Sequence, residues 1–296
     1  MPFDLGWAQA LRLEESDGKL YGRGACDTKG FIACALEAAS RVNLKALRTP
    51  LALIFTADEE VGCVGAKKLA EARAIFPRHA IVGEPTSLTP VRAHKGYCLA
   101  RVELIGKEGH SAYPKLGASA IFAAGHMLAR IDDYAHTLEK ERHPDFDPPY
   151  TTLNVGIVRG GEAPNVIAGS CRFTLEWRPV PGEQPQRVLD AVHRLSHEVS
   201  VANGVGASIK ALRLDKGLET AATSEVVRYL AQVSGKAAAT VSYATEAPHL
   251  AEMGAQVAVF GPGDIRVAHA TGEYVPIDDL HKCTEALAQA IVHFCA

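Results

Sequence analysis

The chain lacks the pairs that cysteine chemistry needs. Its seven cysteines, at positions 26, 34, 63, 98, 171, 283 and 295, are odd in number and include no Cys-x-x-Cys. Neither a disulfide framework nor a thiolate zinc site is encoded, and a reducing compartment is expected. A charged-then-apolar leader is also missing, and no apolar run approaches the length, about 18 residues, that a membrane span requires. The expectation is a cytoplasmic protein with no membrane partner. Long basic runs are absent: 31 Lys and Arg against 34 Asp and Glu leave a net charge of -3, with a pI near 6.5. That balance removes the electrostatic footprint of a nucleic-acid binder. There is no internal repeat and no low-complexity segment, so the expected partner is a small molecule.

What is present begins with 296 residues that are 47% hydrophobic, enough to fill one large core or two moderate ones. The stretch Leu51-Ala52-Leu53-Ile54-Phe55-Thr56-Ala57 reads as a buried strand of a parallel sheet, and it delivers Asp58-Glu59-Glu60 at its carboxyl end. Open α/β sheets place their ligands at that edge. Asp17-Gly18 marks a hairpin turn between Leu11-Arg12-Leu13 and Lys19-Leu20-Tyr21, followed by a Gly-rich loop through Asp27 and an Ala-rich helix from about Phe31 to Val42. A helix near 65–74 and a short strand at His79-Ala80-Ile81-Val82 complete a strand-helix-strand unit, expected to be parallel. From Lys95 the pattern changes. Strands at 97–105, 152–158, 168–177 and 207–214 with helices at 118–136 and 184–201 give the order βαββαβ, the ferredoxin-like pattern. The fold class is therefore α/β: a mostly parallel-sheet domain over residues 1–94 and 215–296, with an inserted ferredoxin-like domain over 95–214. Ser224 as an N-cap, a strand at 255–260 and an amphipathic helix at 279–295 close the chain.

Asp27, Glu59, Glu60, Glu84 and His269 all fall on loops at the ends of elements in the α/β part. Carboxylate and imidazole donors without thiolate suit zinc, cobalt or manganese in a site with an open position. Solvated surface acids explain the same residues taken one at a time.

The local contexts resemble a family of two-metal amidohydrolases that includes deacetylases, desuccinylases, aminoacylases and glutamate-releasing carboxypeptidases. The matching stretches are Asp17-Gly18-Lys19-Leu20-Tyr21-Gly22-Arg23-Gly24 with Asp27, Thr56-Ala57-Asp58-Glu59-Glu60, Gly83-Glu84-Pro85-Thr86, Gly109-His110-Ser111-Ala112 and Ala268-His269. The deacetylase branch is the nearest in pattern, echoed by Pro90-Val91-Arg92-Ala93-His94-Lys95-Gly96, Thr245-Glu246-Ala247-Pro248, Gly261-Pro262-Gly263 and Glu273-Tyr274. The resemblance implies hydrolysis of an N-acyl amino acid with two divalent ions, zinc or cobalt. It makes Asp27 a bridging ligand, Glu84 a ligand of the first ion, and Glu60 with His269 ligands of the second. Glu59 becomes the base that takes a proton from the attacking water and returns it to the departing amine. His110 is implied to reach the oxyanion, Asn165, Arg178 and Glu246 to bind substrate, and the inserted domain to serve as lid and homodimer interface. Arg178, beside a proline at a strand end, could equally be a structural ion pair. His94, Cys26 and Cys63 read as bystanders.

The resemblance breaks at the beginning. Family members carry His-x-Asp before Val-Pro, and that His is the third ligand of the first ion. Here Met1-Pro2-Phe3 stands at the Val-Pro position. The α/β domain is therefore expected to be incomplete at its N-terminus and the first metal position weakened, with in-frame upstream sequence encoding the missing His. Two readings stay open: a deacylase, with a desuccinylase or broad aminoacylase as the variant, or an impaired relative that survives as a binding or dimerising protein.

Overall fold

The computed structural model describes residues 6–296. The Met1-Pro2-Phe3 segment, on which the upstream expectation turns, lies outside them. In chain order the elements are β1 (Glu14–Ser16), β2 (Lys19–Tyr21), α1 (Gly30–Arg41), α2 (Val64–Ala72), β3 (His79–Val82) and β4 (Val91–His94). Next come β5 (Tyr97–Ile105), β6 (Gly109–His110), α3 (Ala120–Leu138), β7 (Thr152–Gly160), β8 (Val166–Ile167), β9 (Ser170–Arg178), α4 (Gln186–Asn203) and β10 (Gly206–Asp215). The last are β11 (Leu218–Glu219), α5 (Glu225–Ser234), β12 (Ala239–Val241), α6 (Ala247–Glu252), β13 (Gln256–Val259), β14 (Tyr274–Pro276) and α7 (Ile277–Cys295). Two compact units result, one of Met1–Ala93, Leu218–Thr240 and Thr245–Ala296, the other of His94–Gly217 and Val241–Ala244. No helix among the described residues is long and apolar enough to cross a membrane.

In the first unit the hairpin forms, but its first strand sits three residues later than Leu11–Leu13. Asp17 and Gly18 have φ of 51° and 70°, and this two-residue turn pairs Ser16 directly with Lys19, so the strand must abut the turn. β14 adds to the free side of β2, antiparallel. The larger sheet runs β11-β4-β13-β3, with β12 also on β4. It is mixed rather than mostly parallel: β13 lies parallel to β3 and antiparallel to β4. β4 has no counterpart in the sequence reading, where Val91–His94 figured only as a motif.

The Leu51–Ala57 run is the largest correction. It is not a strand, and Leu53, Ile54 and Phe55 are 39%, 39% and 56% exposed. Apolar character alone does not make a buried strand; neighbours on either side must complete its ladder and cover its faces. The sheet ends at β3, and no strand among the described residues pairs with this run. It lines instead an open apolar cleft of about 610 Å³ with Phe31, Phe76, Ile81 and Phe294. Behind the sheet the packing is dense, with Cys34 and Ala38 of α1, Val226 and Leu230 of α5 and Cys283 and Leu287 of α7 around Ala258 and Phe260.

The four long strands and two helices of the second unit lie where the sequence placed them, with ends shifted by two residues at most, while the short β6 and β8 had no counterpart there. Its four long strands form an antiparallel sheet of order β10-β5-β9-β7. Cys98, Ala100, Val102 and Leu104 of β5 and Cys171, Phe173, Leu175 and Trp177 of β9 share one face and bury against α3 and α4. Ser119 caps α3, its Oγ accepting from the Phe122 N–H at 3.3 Å.

At the start of this unit His94 is fully buried, its Nδ1 2.8 Å from the Lys95 carbonyl. A carbonyl only accepts, so Nδ1 carries the proton and donates. Burial pushes the ring's pKa from 6.5 down to about 4. Below pH 6.5 the unfolded chain takes up a proton that the folded chain refuses until about pH 4. The stability contribution is thus whole above pH 6.5 and is lost as pH falls toward 4. Between pH 7 and 4.5 the loss is about 2 to 3 kcal/mol. Urea unfolding at those two pH values should show His94→Gln losing less stability on acidification than the wild type, by about that amount; equal losses would refute the assignment.

Candidate metal centre

Asp27 is delivered by the loop that leaves β2. Gly24 has φ of 81°, and the wide π-helical turn Ala25–Lys29 that follows is broken at Asp27 and Thr28, whose φ/ψ of −117°/95° and −131°/21° are not helical. Glu59 and Glu60 follow the irregular Leu51–Ala57 run. The Glu59 carbonyl accepts the N–H groups of both Gly62 (3.0 Å) and Cys63 (2.9 Å), which curls the chain into α2. His269 sits in a left-handed conformation, φ 62°, directly after a short helical turn at Ile265–Val267.

These loops bring three side chains together. His269 Nε2 is 3.0 Å from Asp27 Oδ2 and 3.0 Å from Glu60 Oε1, and one donor atom of each residue lies within 4.8 Å of the others. Around them stand further acids. Glu84, just past the end of β3, is only 9% exposed. Its pKa is raised well above the usual carboxylate value, first by burial and then by Asp27, Glu59, Glu246 and Glu60. Asp27 is raised as well, by burial, with His269 opposing and Glu60 and Glu273 adding to the rise. Several acids thus crowd one imidazole and lack positive charge, and a divalent cation among them would supply it. The donor set fits one: two carboxylate oxygens and an imidazole nitrogen with no thiolate meet the minimum of a catalytic zinc-type site. Glu84 stands beside this trio without belonging to it.

Glu59 does not join the three; its carboxylate accepts from the Cys63 thiol at 3.5 Å. Glu246, at the start of α6, accepts from the Thr56 hydroxyl at 2.6 Å. Cys26, next to Asp27, is buried, and burial pushes its thiol up to about 12, the behaviour of a packed residue rather than a thiolate.

The remaining expected residues lie in the second unit. His110 is exposed on β6, pairs with Val166 of β8, and accepts the Ala112 N–H at Nδ1, 3.1 Å away. The Asn165 carbonyl accepts the Ser111 N–H at 3.0 Å, so His110 and Asn165 share one end of this unit. Arg178 ends β9, whose first residue, Ser170, lies close after β8. Eight residues of strand separate Ser170 from Arg178, about 26 Å at the usual rise. Its Nε donates to Glu176 at 2.8 Å and its guanidinium lies 4.6 Å from the Tyr97 ring centre. Arg178 thus makes an ion pair with Glu176, both side chains 30% exposed.

Two residues with functional geometry carried no role in the sequence. Cys63, a bystander in the sequence, has its thiol placed on Glu59 by the turn. Glu273 belongs to a matching motif, and its side chain proves to be 1% exposed; no signal in the sequence marked its task.

The sequence matches the peptidase family M20/M25/M40 over residues 2–293. It is 58% identical over 297 residues to the acetylornithine deacetylase of Myxococcus xanthus, covering 100% of this chain and 78% of the relative. The acetylornithine deacetylase of Proteus mirabilis is 36% identical over 299 residues, with 100% and 77% covered. Among solved structures, the aminopeptidase PepT of Bacillus cereus superposes with a TM-score of 0.78 at 21% identity, over 95% of this chain and 76% of that one. A metallo-carboxypeptidase of Sulfolobus solfataricus does so with a TM-score of 0.77 at 17% identity, over 98% and 81%. The two structural likenesses concern the fold.

Proposed function

This chain belongs to the peptidase family M20/M25/M40, and from that premise we propose that it hydrolyses the amide bond of N2-acetyl-L-ornithine, releasing acetate and ornithine in arginine biosynthesis. The observation that carries the chemistry is the convergence of Asp27, Glu60 and His269 within 4.8 Å, with Glu59 adjacent in sequence and outside the ligand set. The substrate follows the relative at 58% identity. Asp27, Glu60 and His269 would hold a divalent ion, zinc or cobalt, which would supply a Lewis acid for the amide carbonyl and for water. Asp27 and Glu84 offer a second, weaker position.

The protein's own residues do the rest. Glu59 takes the proton of the attacking water and hands it to the amine nitrogen as the C–N bond breaks, so one carboxylate serves as base and then as acid. Cys63 holds the Glu59 carboxylate through its thiol, 3.5 Å from Oε1. Residues 95–214 act as lid and dimerisation domain, from which His110 donates to the oxyanion and Asn165 and Arg178 hold the substrate; Glu246, of the other unit, holds it too. The working form is a cytoplasmic homodimer.

The test is a panel of N-acyl amino acids with cobalt-loaded protein, reading acetate or succinate release. N2-acetylornithine should exceed N-acetylmethionine and N-succinyl-diaminopimelate in kcat/KM by at least about tenfold, as expected where a site recognises a substrate's charged end. Faster succinate release would make the protein a desuccinylase, and no release from any member would support the binding or dimerising reading.

A further inference from the structure

We propose that Glu273 is the positioning residue of the metal centre, fixing the loop that carries Asp27; this rests on the reading of Asp27 as a ligand. Its side chain is 1% exposed, and its two oxygens accept four hydrogen bonds. Oε1 takes the backbone N–H groups of Cys26 at 2.9 Å and Asp27 at 3.0 Å. Oε2 takes the Gly24 N–H at 3.1 Å and the Arg23 guanidinium at 2.9 Å. The Glu273 carbonyl accepts the Gly22 N–H at 3.0 Å. Every hydrogen bond of this side chain thus goes to a single five-residue stretch ending at Asp27.

Elsewhere in the stretch the Arg23 N–H donates to the Ala10 carbonyl at 2.7 Å and the Ala25 N–H to Gly22 at 3.0 Å, while the Gly24, Cys26 and Asp27 N–H groups go to Glu273. The stretch leaves β2, passes Gly24 at φ 81° and breaks helical geometry at Asp27, so no regular ladder sets the direction of the Asp27 side chain. One carboxylate bridging three backbone N–H groups does so instead. The arrangement has an opposing effect: Glu273 places a second negative charge near Asp27 and helps raise its pKa. A residue whose charge opposes Asp27 ionisation fits the fold through the four hydrogen bonds it accepts. The clamp also joins two of the three ligands, because Glu273 follows His269 by four residues while its side chain grips the segment of Asp27. Geometry at the centre is set from behind by this carboxylate, the part that outer residues play around bound metals generally.

The experiment uses the full chain with Glu273→Gln, Glu273→Asp, Arg23→Gln and Asp27→Asn. Glu273→Gln keeps the shape but turns an NH2 toward N–H donors, leaving at least one backbone donor unpaired. Backbone amide exchange in metal-free protein should rise at least about tenfold at Gly24, Cys26 and Asp27, with α1 and α7 unchanged. Titration with Co2+ alone, followed by its visible absorption, should show affinity about 10 to 100-fold weaker and altered band intensity. Glu273→Asp, which restores the charge on a shorter arm, should recover part of both. A folded Glu273→Gln with wild-type exchange at residues 24–27, or with wild-type Co2+ affinity and spectrum, overturns the proposal. If Glu273→Gln does not fold, Arg23→Gln decides, because it removes only one of the four donors: faster exchange at Gly24 supports the clamp, and unchanged exchange refutes it. Wild-type Co2+ binding by Asp27→Asn would mean that Asp27 is no ligand and would sink the proposal as a statement about the metal, while the exchange result still judges Glu273's hold on the loop.

Discussion

Glu59→Gln is expected to lower turnover by about 1000-fold, within the 10²–10⁴ range of general acid-base catalysis, while metal content stays at the wild-type level. The two halves of this result belong together. Glutamine is isosteric, can still accept from the Cys63 thiol that holds Glu59 at 3.5 Å, and removes no member of the Asp27, Glu60 and His269 trio. What it cannot do is take a proton from water, so the loss falls on kcat, and KM changes little. Elemental analysis of the purified variant alongside single-turnover acetate release reads both halves. Loss of metal in Glu59→Gln would reverse the roles given to Glu59 and Glu60.

The second large effect is on binding. The wild-type chain should hold about one divalent ion firmly, and His269→Ala should weaken that site by more than about 100-fold, since deleting a ligand exceeds deleting a ligand's support. Three donors meet within 4.8 Å at this position, whereas Glu84 with Asp27 offers two, one short of the usual catalytic set. The alanine variant keeps Asp27 and Glu60, whose mutual repulsion no longer has an imidazole between them. Calorimetric titration with Zn2+ or Co2+ gives stoichiometry and affinity together. Two tight sites per wild-type chain, or an unchanged isotherm for His269→Ala, would overturn the assignment.

The parts legible in the sequence were those whose signal is local and whose partners are near in the chain. The period-two alternation of Cys98 to Leu104 and of Cys171 to Trp177 foretold strands with one buried face, because the helices that cover that face follow within the same unit. Asp17-Gly18 foretold the turn, although its strict two-residue geometry, which moves the first strand to Glu14–Ser16, took the φ values to see. Leu51–Ala57 misled for the opposite reason: its composition is that of a strand, and a strand is made by neighbours. The mixed sheet escaped notice because Val91–His94, with its interleaved Arg92 and His94, has no continuous apolar run like that of His79–Val82 and was read only as a motif. At the candidate site the ligating residue types and their loops could be named from motifs. Glu273 could not be assigned a task, since an acid that binds backbone N–H groups leaves no mark on the residues it binds.

Leu53, Ile54 and Phe55 form no strand, and 39%, 39% and 56% of their surfaces face solvent beside Phe76, which is 77% exposed. An exposed apolar run with no pairing strand among the described residues is a surface on which another molecule can settle, and such encounters grow with the square of concentration. The colloidal behaviour of the protein is therefore written next to its chemistry, since Glu59 and Glu60 hang from the end of the same run. Self-association that grips Leu53 to Phe55 pulls on the segment that carries the proposed base, so specific activity should decline as stock solutions are concentrated and recover on prompt dilution.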